Sequence, residues 1–281
     1  MAHAPTPRRA QFVFGPALLF CPADRPDRFR KAFDRADAVI LDLEDAVAPA
    51  ARPAAREAVR NSGLDAARVI VRINPAESAD FAEDLRAVAA SGYTHVMLPK
   101  TASPADLLRI ADFDDSLAVI ALCESAAGVS AAREIAAAPN VSAVMWGAED
   151  LIASLGGTTS RFSDGRYRPV AEYARSVVLI AAAAAGKAAI DTVHLDIADV
   201  DGLSAEAEDA AASGFAASAC IHPSQVDVIR GAYRPSPDEE ADALALLAAA
   251  REHGGVFRMG DRMVDAPVLR HAESVLRRAR R

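Results

Sequence analysis

The sequence predicts an α/β fold: one closed (β/α)8 TIM barrel with a C-terminal helical extension. Three observations lead there. Short, almost continuously apolar runs recur eight times, as strands buried on both faces require. Amphipathic stretches with helix start and stop signals separate these runs. The eight units occupy about 220 residues, which suits one closed barrel.

The expected strands are Ala17–Cys21, Ala38–Leu43, Val69–Ile73, His95–Leu98, Leu117–Cys123, Ala143–Trp146, Ala188–Val193 and Phe215–Ile221. The expected helices begin with Arg25–Ala36, with Asp24 as its N-cap. Pro53–Asn61 has proline in its first turn, and Ala79–Ser91 stops at Gly92. Pro104–Ala111 follows Ser103, and Ala126–Ala138 ends before Pro139. Val170–Ala185 stops at Gly186 and Ser204–Ser213 at Gly214. An open doubly wound sheet is the competing architecture. It calls for a glycine-rich turn after the first strand, and Cys21-Pro22-Ala23-Asp24 is not one.

Three further helices follow the eighth strand: Pro223–Ala232, Asp238–His253 and, after Gly254-Gly255, Pro267–Arg280. The expected organisation is a disordered N-terminus over 1–10, a barrel over 11–234 and a helical extension over 235–281. Arg277, Arg278, Arg280 and Arg281 suit the negative end of the last helix.

The 281 residues are 52% hydrophobic and 25% charged, the balance of a globular protein. A net charge of −8 provides no overall basic field for nucleic acid. No apolar run reaches membrane-spanning length, and no signal-peptide pattern opens the chain, so a cytoplasmic protein is expected. Cys21, Cys123 and Cys220 are far apart, with neither zinc nor disulfide spacing, and read as buried thiols.

Chemistry in such a barrel gathers at the C-terminal ends of its strands. Here those ends carry Glu44 and Asp45, Arg72, Lys100, Glu124, Gly147-Ala148-Glu149-Asp150, Asp191 with His194, and His222. So many charges on one rim require mutual pairing or a ligand. Glu124 and Asp150 come from consecutive strands, and two carboxylates with open positions suit a hard divalent ion such as Mg²⁺. The competing reading pairs them with Arg72 and Lys100. Arg72 suits a planar carboxylate, or an ion pair with Glu44 or Asp45. Lys100 suits a Schiff base with a carbonyl substrate, or a charge partner for the same carboxylates. The segment from Arg25 to Lys31 is basic enough to meet phosphates, or is a solvated helix face. His194 and His222 read as hydrogen-bonded structural residues.

These stretches also carry a resemblance. The segments Leu18-Leu19-Phe20-Cys21-Pro22-Ala23-Asp24-Arg25-Pro26-Asp27-Arg28-Phe29, Leu41-Asp42-Leu43-Glu44-Asp45 and Val71-Arg72-Ile73-Asn74 come first. Met97-Leu98-Pro99-Lys100, Glu124-Ser125-Ala126-Ala127-Gly128 and Trp146-Gly147-Ala148-Glu149-Asp150-Leu151 follow. Ile221-His222-Pro223-Ser224-Gln225 and Met263-Val264-Asp265-Ala266-Pro267 complete the order. Together they resemble the citrate lyase beta-subunit-like proteins among the HpcH/HpaI-type aldolases, from about Pro16 to Ala279. The pattern looks more like the stand-alone 3-hydroxyacyl-CoA lyases than the subunit of a citrate lyase complex.

The resemblance implies Mg²⁺, with Mn²⁺ as a substitute, on Glu124 and Asp150. It implies a keto-acid fragment on Arg72, with Glu44 and Asp45 supporting that rim. Phe20, Arg25, Arg28 and Lys31 would meet the coenzyme A thioester, and Gly147 and Ala148 would line the substrate site. Asp265 would act as an acid–base group, brought across by the extension of a neighbouring subunit in a homotrimer. The implied reaction cleaves a malyl-, citramalyl- or hydroxymethylglutaryl-type CoA thioester to a keto acid and acetyl-CoA, or runs in reverse. The alternatives are a citryl-carrier-protein lyase subunit active only in a complex, and a Schiff-base aldolase using Lys100. One departure stands out: Ala217-Ser218 replaces the Gly-Lys common in the family.

Overall fold

The computed structural model describes residues 11–279. Eight parallel strands close a barrel in sequence order. They are β1 (Ala17–Pro22), β2 (Ala38–Asp42), β3 (Val69–Arg72), β4 (His95–Leu98), β5 (Ala118–Cys123), β6 (Val141–Trp146), β7 (Ala188–Asp191) and β8 (Ala217–Cys220). The β1–β8 pairing, with Leu18 opposite Ala219, completes the closure. Each of the eight expected strands is present, and the open-sheet alternative is excluded.

Side chains alternate between two environments along each strand. The inward row packs Leu18, Ile40, Ile70, Met97, Ile120, Leu122, Met145 and Ile190 into one cluster. Phe12 and Phe14 join that cluster from the segment before β1. The intervening residues, Leu19, Leu41, Val71 and Leu98 among them, are also fully buried. Burial on both sides explains why the strands read as unbroken apolar runs.

The helices of this part are α1 (Pro26–Arg35), α2 (Arg52–Arg60), α3 (Phe81–Ser91), α4 (Pro104–Phe113), α5 (Ala126–Ser130), α6 (Ala132–Ala136), α7 (Ala148–Ser154), α8 (Pro169–Ala184), α9 (Val200–Ser213) and α10 (Gln225–Tyr233). Several termini follow the expected chemistry. Gly92 and Gly214 end their helices in the left-handed conformation, with φ of 78° and 110°. Ser103 N–H donates to Asp106 Oδ2 at the start of α4.

Three expectations need correction. Asp24 is not the cap of α1: Arg25 holds that position without a side-chain cap bond. The expected helix 126–138 is two helices, because Ala131 leaves helical geometry between them. The stretch from Gly147 to Asp150 is not all strand end: Gly147 caps α7, and Ala148 already begins it.

By its contacts the chain forms two compact units, one ending at Ile229 and one beginning at Arg230. The second contains α11 (Pro237–Glu252), β9 (Phe257–Met259), β10 (Arg262–Val264) and α12 (Ala266–Ala279). The β9–β10 hairpin was not anticipated from the sequence; Gly260 turns it with φ of 58°. Ala243, Leu246, Val264 and Ala272 form this unit's core. The expectation for 1–10, and that for Arg280 and Arg281, fall outside the described residues. No helix among the described residues is long and apolar enough to cross a membrane. The three cysteines are buried and form no disulfide among the described residues, as expected.

One close approach supports the rim. A Cβ on Gly128 would stand 2.3 Å from the backbone oxygen of Thr101, the neighbour of Lys100. Gly128→Ala must therefore displace backbone. The expected result is a loss of about 1–3 kcal/mol in chemical denaturation. An unchanged midpoint would contradict this packing.

Candidate active site

The inward row of each strand continues into the barrel mouth. Two residues beyond Ile40 is Asp42, and two beyond Ile70 is Arg72. Two beyond Leu122 is Glu124, and two beyond Met145 is Gly147. The apolar interior thus gives way to charge at one level. There a cavity of about 360 Å³ opens, lined by Phe20, Asp42, Asp45, Arg72, Glu124, Gly147, Ala148, Asp150, Thr192 and Leu195 among others.

Asp42 organises one wall and is 1% exposed. Its carboxylate accepts from Arg72 Nε at 2.7 Å and Nη2 at 2.6 Å. It also accepts from the backbone N–H groups of Glu44 at 3.0 Å and Ala46 at 3.2 Å. One side chain thereby holds the guanidinium and folds the loop that carries Glu44 and Asp45. Arg72 lies over Phe20, with Cζ 4.8 Å from the ring centroid. Burial works against its charge, but the bonds to Asp42 and the field of Glu44 outweigh that and raise its pKa.

Glu44 is buried between two cations. Its Oε2 is 3.0 Å from Arg72 Nη1, and its Oε1 accepts from Lys100 Nζ at 2.5 Å. Burial raises its pKa while Arg72 and Lys100 pull it back. Lys100 Nζ is also 3.4 Å from Asp45 and 3.9 Å from Asp150. Burial disfavours the ammonium, yet Glu44, Asp45 and Asp150 raise its pKa on balance. That works against the uncharged amine a Schiff base needs.

Glu124 is 4% exposed, and its Oε1 accepts the backbone N–H of Lys100 at 2.9 Å. Burial, reinforced by the negative charge of Asp150, pushes its pKa up to about 8. Asp150 stands in the first turn of α7 and is half-buried. The simple pairing of Glu124 and Asp150 with Arg72 and Lys100 occurs only in part: Lys100 Nζ lies 3.9 Å from Asp150 Oδ1, while among the described residues no side-chain cation is bonded to Glu124. Arg72 is bound to Asp42 and Glu44, and the shortest bond of Lys100 Nζ is to Glu44. Two oxygen-donor carboxylates face one cavity, and among the described residues no side-chain cation is bonded to Glu124.

Other expected residues lie apart from this cavity. Arg25, Arg28 and Lys31 are exposed and are not part of its wall. Arg25 pairs with Asp27 at 3.1 Å, and Lys31 borders a separate hollow with Arg30, Arg35 and Ser224. Asp265 belongs to the second unit, where its Oδ1 accepts from Val268 N–H at 3.2 Å at the start of α12. Asp191 accepts from Trp146 Nε1 at 2.6 Å and is bound by Arg175, a structural use. His194 is buried with Nδ1 3.0 Å from Glu206, and exposed His222 meets Ser224. Ala217 and Ser218 are both buried within β8. Asp42 was missed as a site residue. Asp42 could have been found from strand parity, being inward by the same count as Arg72.

With this geometry in place, comparison with known proteins is decisive. Residues 17–223 match the family model described as HpcH/HpaI aldolase/citrate lyase. The chain belongs to that family. It is an enzyme of the lyase type. A citrate lyase subunit beta-like protein of Mycobacterium tuberculosis is 57% identical over 265 residues, covering 94% of this chain and 96% of its own. The mitochondrial citramalyl-CoA lyase of Mus musculus is 29% identical, over 98% of this chain and 86% of its own. The crystal structure of protein CitE from M. tuberculosis, in complex with magnesium, acetoacetate and coenzyme A, superposes with a TM-score of 0.89. The two are 56% identical, over 95% of this chain and 99% of the other.

Gly147 gives this family member a specific test. A Cβ there would sit 2.8 Å from Glu124 Oε2 and 2.9 Å from its Cβ. Gly147→Ala should rotate the Glu124 carboxylate out of place. The expected outcome is a folded protein that loses turnover by roughly 10²-fold. Full turnover would show that the Glu124 position is not critical.

Proposed function

We propose that this enzyme is a Mg²⁺-dependent carbon–carbon lyase. It would cleave a carboxylated 3-hydroxyacyl-CoA, of malyl, citramalyl or hydroxymethylglutaryl type, to a keto acid and acetyl-CoA, or run the reverse condensation. The observation that carries the reading is the Glu124–Asp150 pair at the barrel mouth beside the clamped Arg72. The magnesium, acetoacetate and coenzyme A named with the M. tuberculosis protein support the same chemistry.

The residues fit such an ion. Glu124 is a buried carboxyl group with no side-chain cation bonded to it among the described residues, and a bound cation would favour its ionised form. Among the described residues, no group of three or more His, Cys, Asp or Glu could hold a metal. Two carboxylates alone leave coordination positions for water and substrate oxygens, as Mg²⁺ prefers. Bound there, Mg²⁺ would supply Lewis-acid polarisation of the substrate's hydroxyl and carboxylate oxygens.

The chain's own groups would do the rest. Arg72 spends two donors on Asp42 and sets Nη1 against Glu44, and its remaining N–H groups would meet the oxygens of the keto-acid fragment. Its charge would stabilise oxygen as the hydroxyl proton passes to solvent and a carbonyl forms. The breaking carbon–carbon bond leaves its electron pair on the thioester's α-carbon. Asp265, carried by the extension of a neighbouring subunit in a homotrimer, would return a proton to that carbon. Glu44 and Asp45 would keep Arg72 and Lys100 in position. Phe20, Gly147 and Ala148 would shape the pocket, and Arg25, Arg28 and Lys31 would meet the coenzyme A phosphates from outside it.

Three outcomes are expected. Chelation with EDTA should abolish cleavage, and added Mg²⁺ should restore it; activity that survives full chelation would contradict the metal reading. Glu124→Gln and Asp150→Asn should keep their circular dichroism spectra and each lose roughly 10²-fold or more in kcat. Asp265→Asn should bind Mn²⁺ as the wild type does yet turn over slowly; normal turnover would remove it from the mechanism. A panel of hydroxyacyl-CoA thioesters, followed by mass spectrometry, identifies the substrate.

A further inference from the structure

We propose that the Lys100 ammonium competes with the metal for the rim carboxylates and so weakens the grip on a dication. The inference rests on the metal reading above. Lys100 addresses both members of the carboxylate pair. Its backbone N–H holds Glu124 Oε1 at 2.9 Å, and its Nζ lies 3.9 Å from Asp150 Oδ1. The same Nζ reaches Glu44 Oε1 at 2.5 Å and Asp45 Oδ2 at 3.4 Å.

The backbone at this point is unusual. Among the described residues, Lys100 alone other than glycines has positive φ, at 51°. A lysine held in that conformation is over-determined by its surroundings. Thr101, beside it, donates its N–H to Leu122 O at 3.1 Å and its hydroxyl to Leu98 O at 2.8 Å. These bonds tie the turn to β4 and β5 and aim the Lys100 N–H at Glu124.

The two ends of the residue have different consequences. The bond to Glu124 comes from the main chain, so any residue except proline can make it. The contact with Asp150 is electrostatic, from a side chain 38% exposed. Asp42, Glu44, Asp45, Glu124 and Asp150 set five carboxyl groups around the mouth against the cations of Arg72 and Lys100. Removing the ammonium takes one positive charge from this set without substituting a carboxylate. A positive charge near Asp150 repels an arriving dication, so its removal should tighten metal binding. A lysine serving only as structural support would have the opposite effect, because its loss would loosen the carboxylates.

Binding of Mn²⁺, followed by the electron paramagnetic resonance signal of the free ion, separates these cases. The proteins are the wild type, Lys100→Met, Lys100→Gly and Glu124→Gln. Methionine keeps the aliphatic stem. Glycine accepts the positive φ and keeps the N–H bond to Glu124. Both Lys100 variants are expected to bind Mn²⁺ about three- to tenfold more tightly than the wild type. Glu124→Gln should bind it more weakly. Unchanged or weaker binding in the Lys100 variants, with the wild type binding Mn²⁺, overturns the role of the lysine and leaves the metal reading standing. A wild type that binds no Mn²⁺ overturns both. Borohydride trapping of substrate on Lys100 also overturns the proposal, because a Schiff-base lysine must act as a free amine; no adduct is expected.

Discussion

The site depends on one side chain that places a guanidinium at the mouth of an apolar barrel. Asp42 accepts two bonds from Arg72 and two from the loop that follows it. A charge this buried is expensive unless it is paired and hydrogen-bonded, and breaking such a pair costs about 3–5 kcal/mol. Asp42 therefore holds Arg72 in one orientation and fixes where Glu44 and Asp45 stand. Glu44 then meets Lys100, and the Lys100 backbone meets Glu124. The rim is one connected set of charges assembled from successive strands.

The barrel beneath makes that set rigid. Its inward rows are packed aliphatic side chains, and its outward rows are equally buried. Changing one polar residue at the mouth cannot readily shift the strand that bears it. A second network secures the next wall. Asn74 donates to Leu43 O at 3.0 Å and to Asp84 Oδ2 at 2.7 Å, and Asp84 accepts from Arg56 Nε at 2.7 Å. The loop carrying Glu44 is thereby held from both sides.

Much of this was legible in the sequence, for physical reasons. Strands buried on both faces leave unbroken apolar runs, so all eight could be placed. Gly92 and Gly214 could be read as helix ends because a left-handed residue is nearly always glycine there. Glu124 and Lys100 stood out as charges just after such runs, and Arg72 as a guanidinium near the end of one. Asp42 was harder to see, because it closes β2 and sits inside the run Ala38–Leu43. Helix α7 was overlooked because Gly147 and Ala148 follow the strand without a polar cap. The bonds of Lys100 to both Glu44 and Glu124 depend on its left-handed backbone, which no local pattern announces in a lysine.

The central claim is that Glu124 and Asp150 share one divalent ion. Crystals grown with Mn²⁺ and measured at the manganese absorption edge test it most directly. An anomalous peak between the two carboxylates, within about 2.3 Å of an oxygen from each, is the result this account requires. A peak elsewhere, or carboxylates turned apart and each bonded to its own cation, would contradict it.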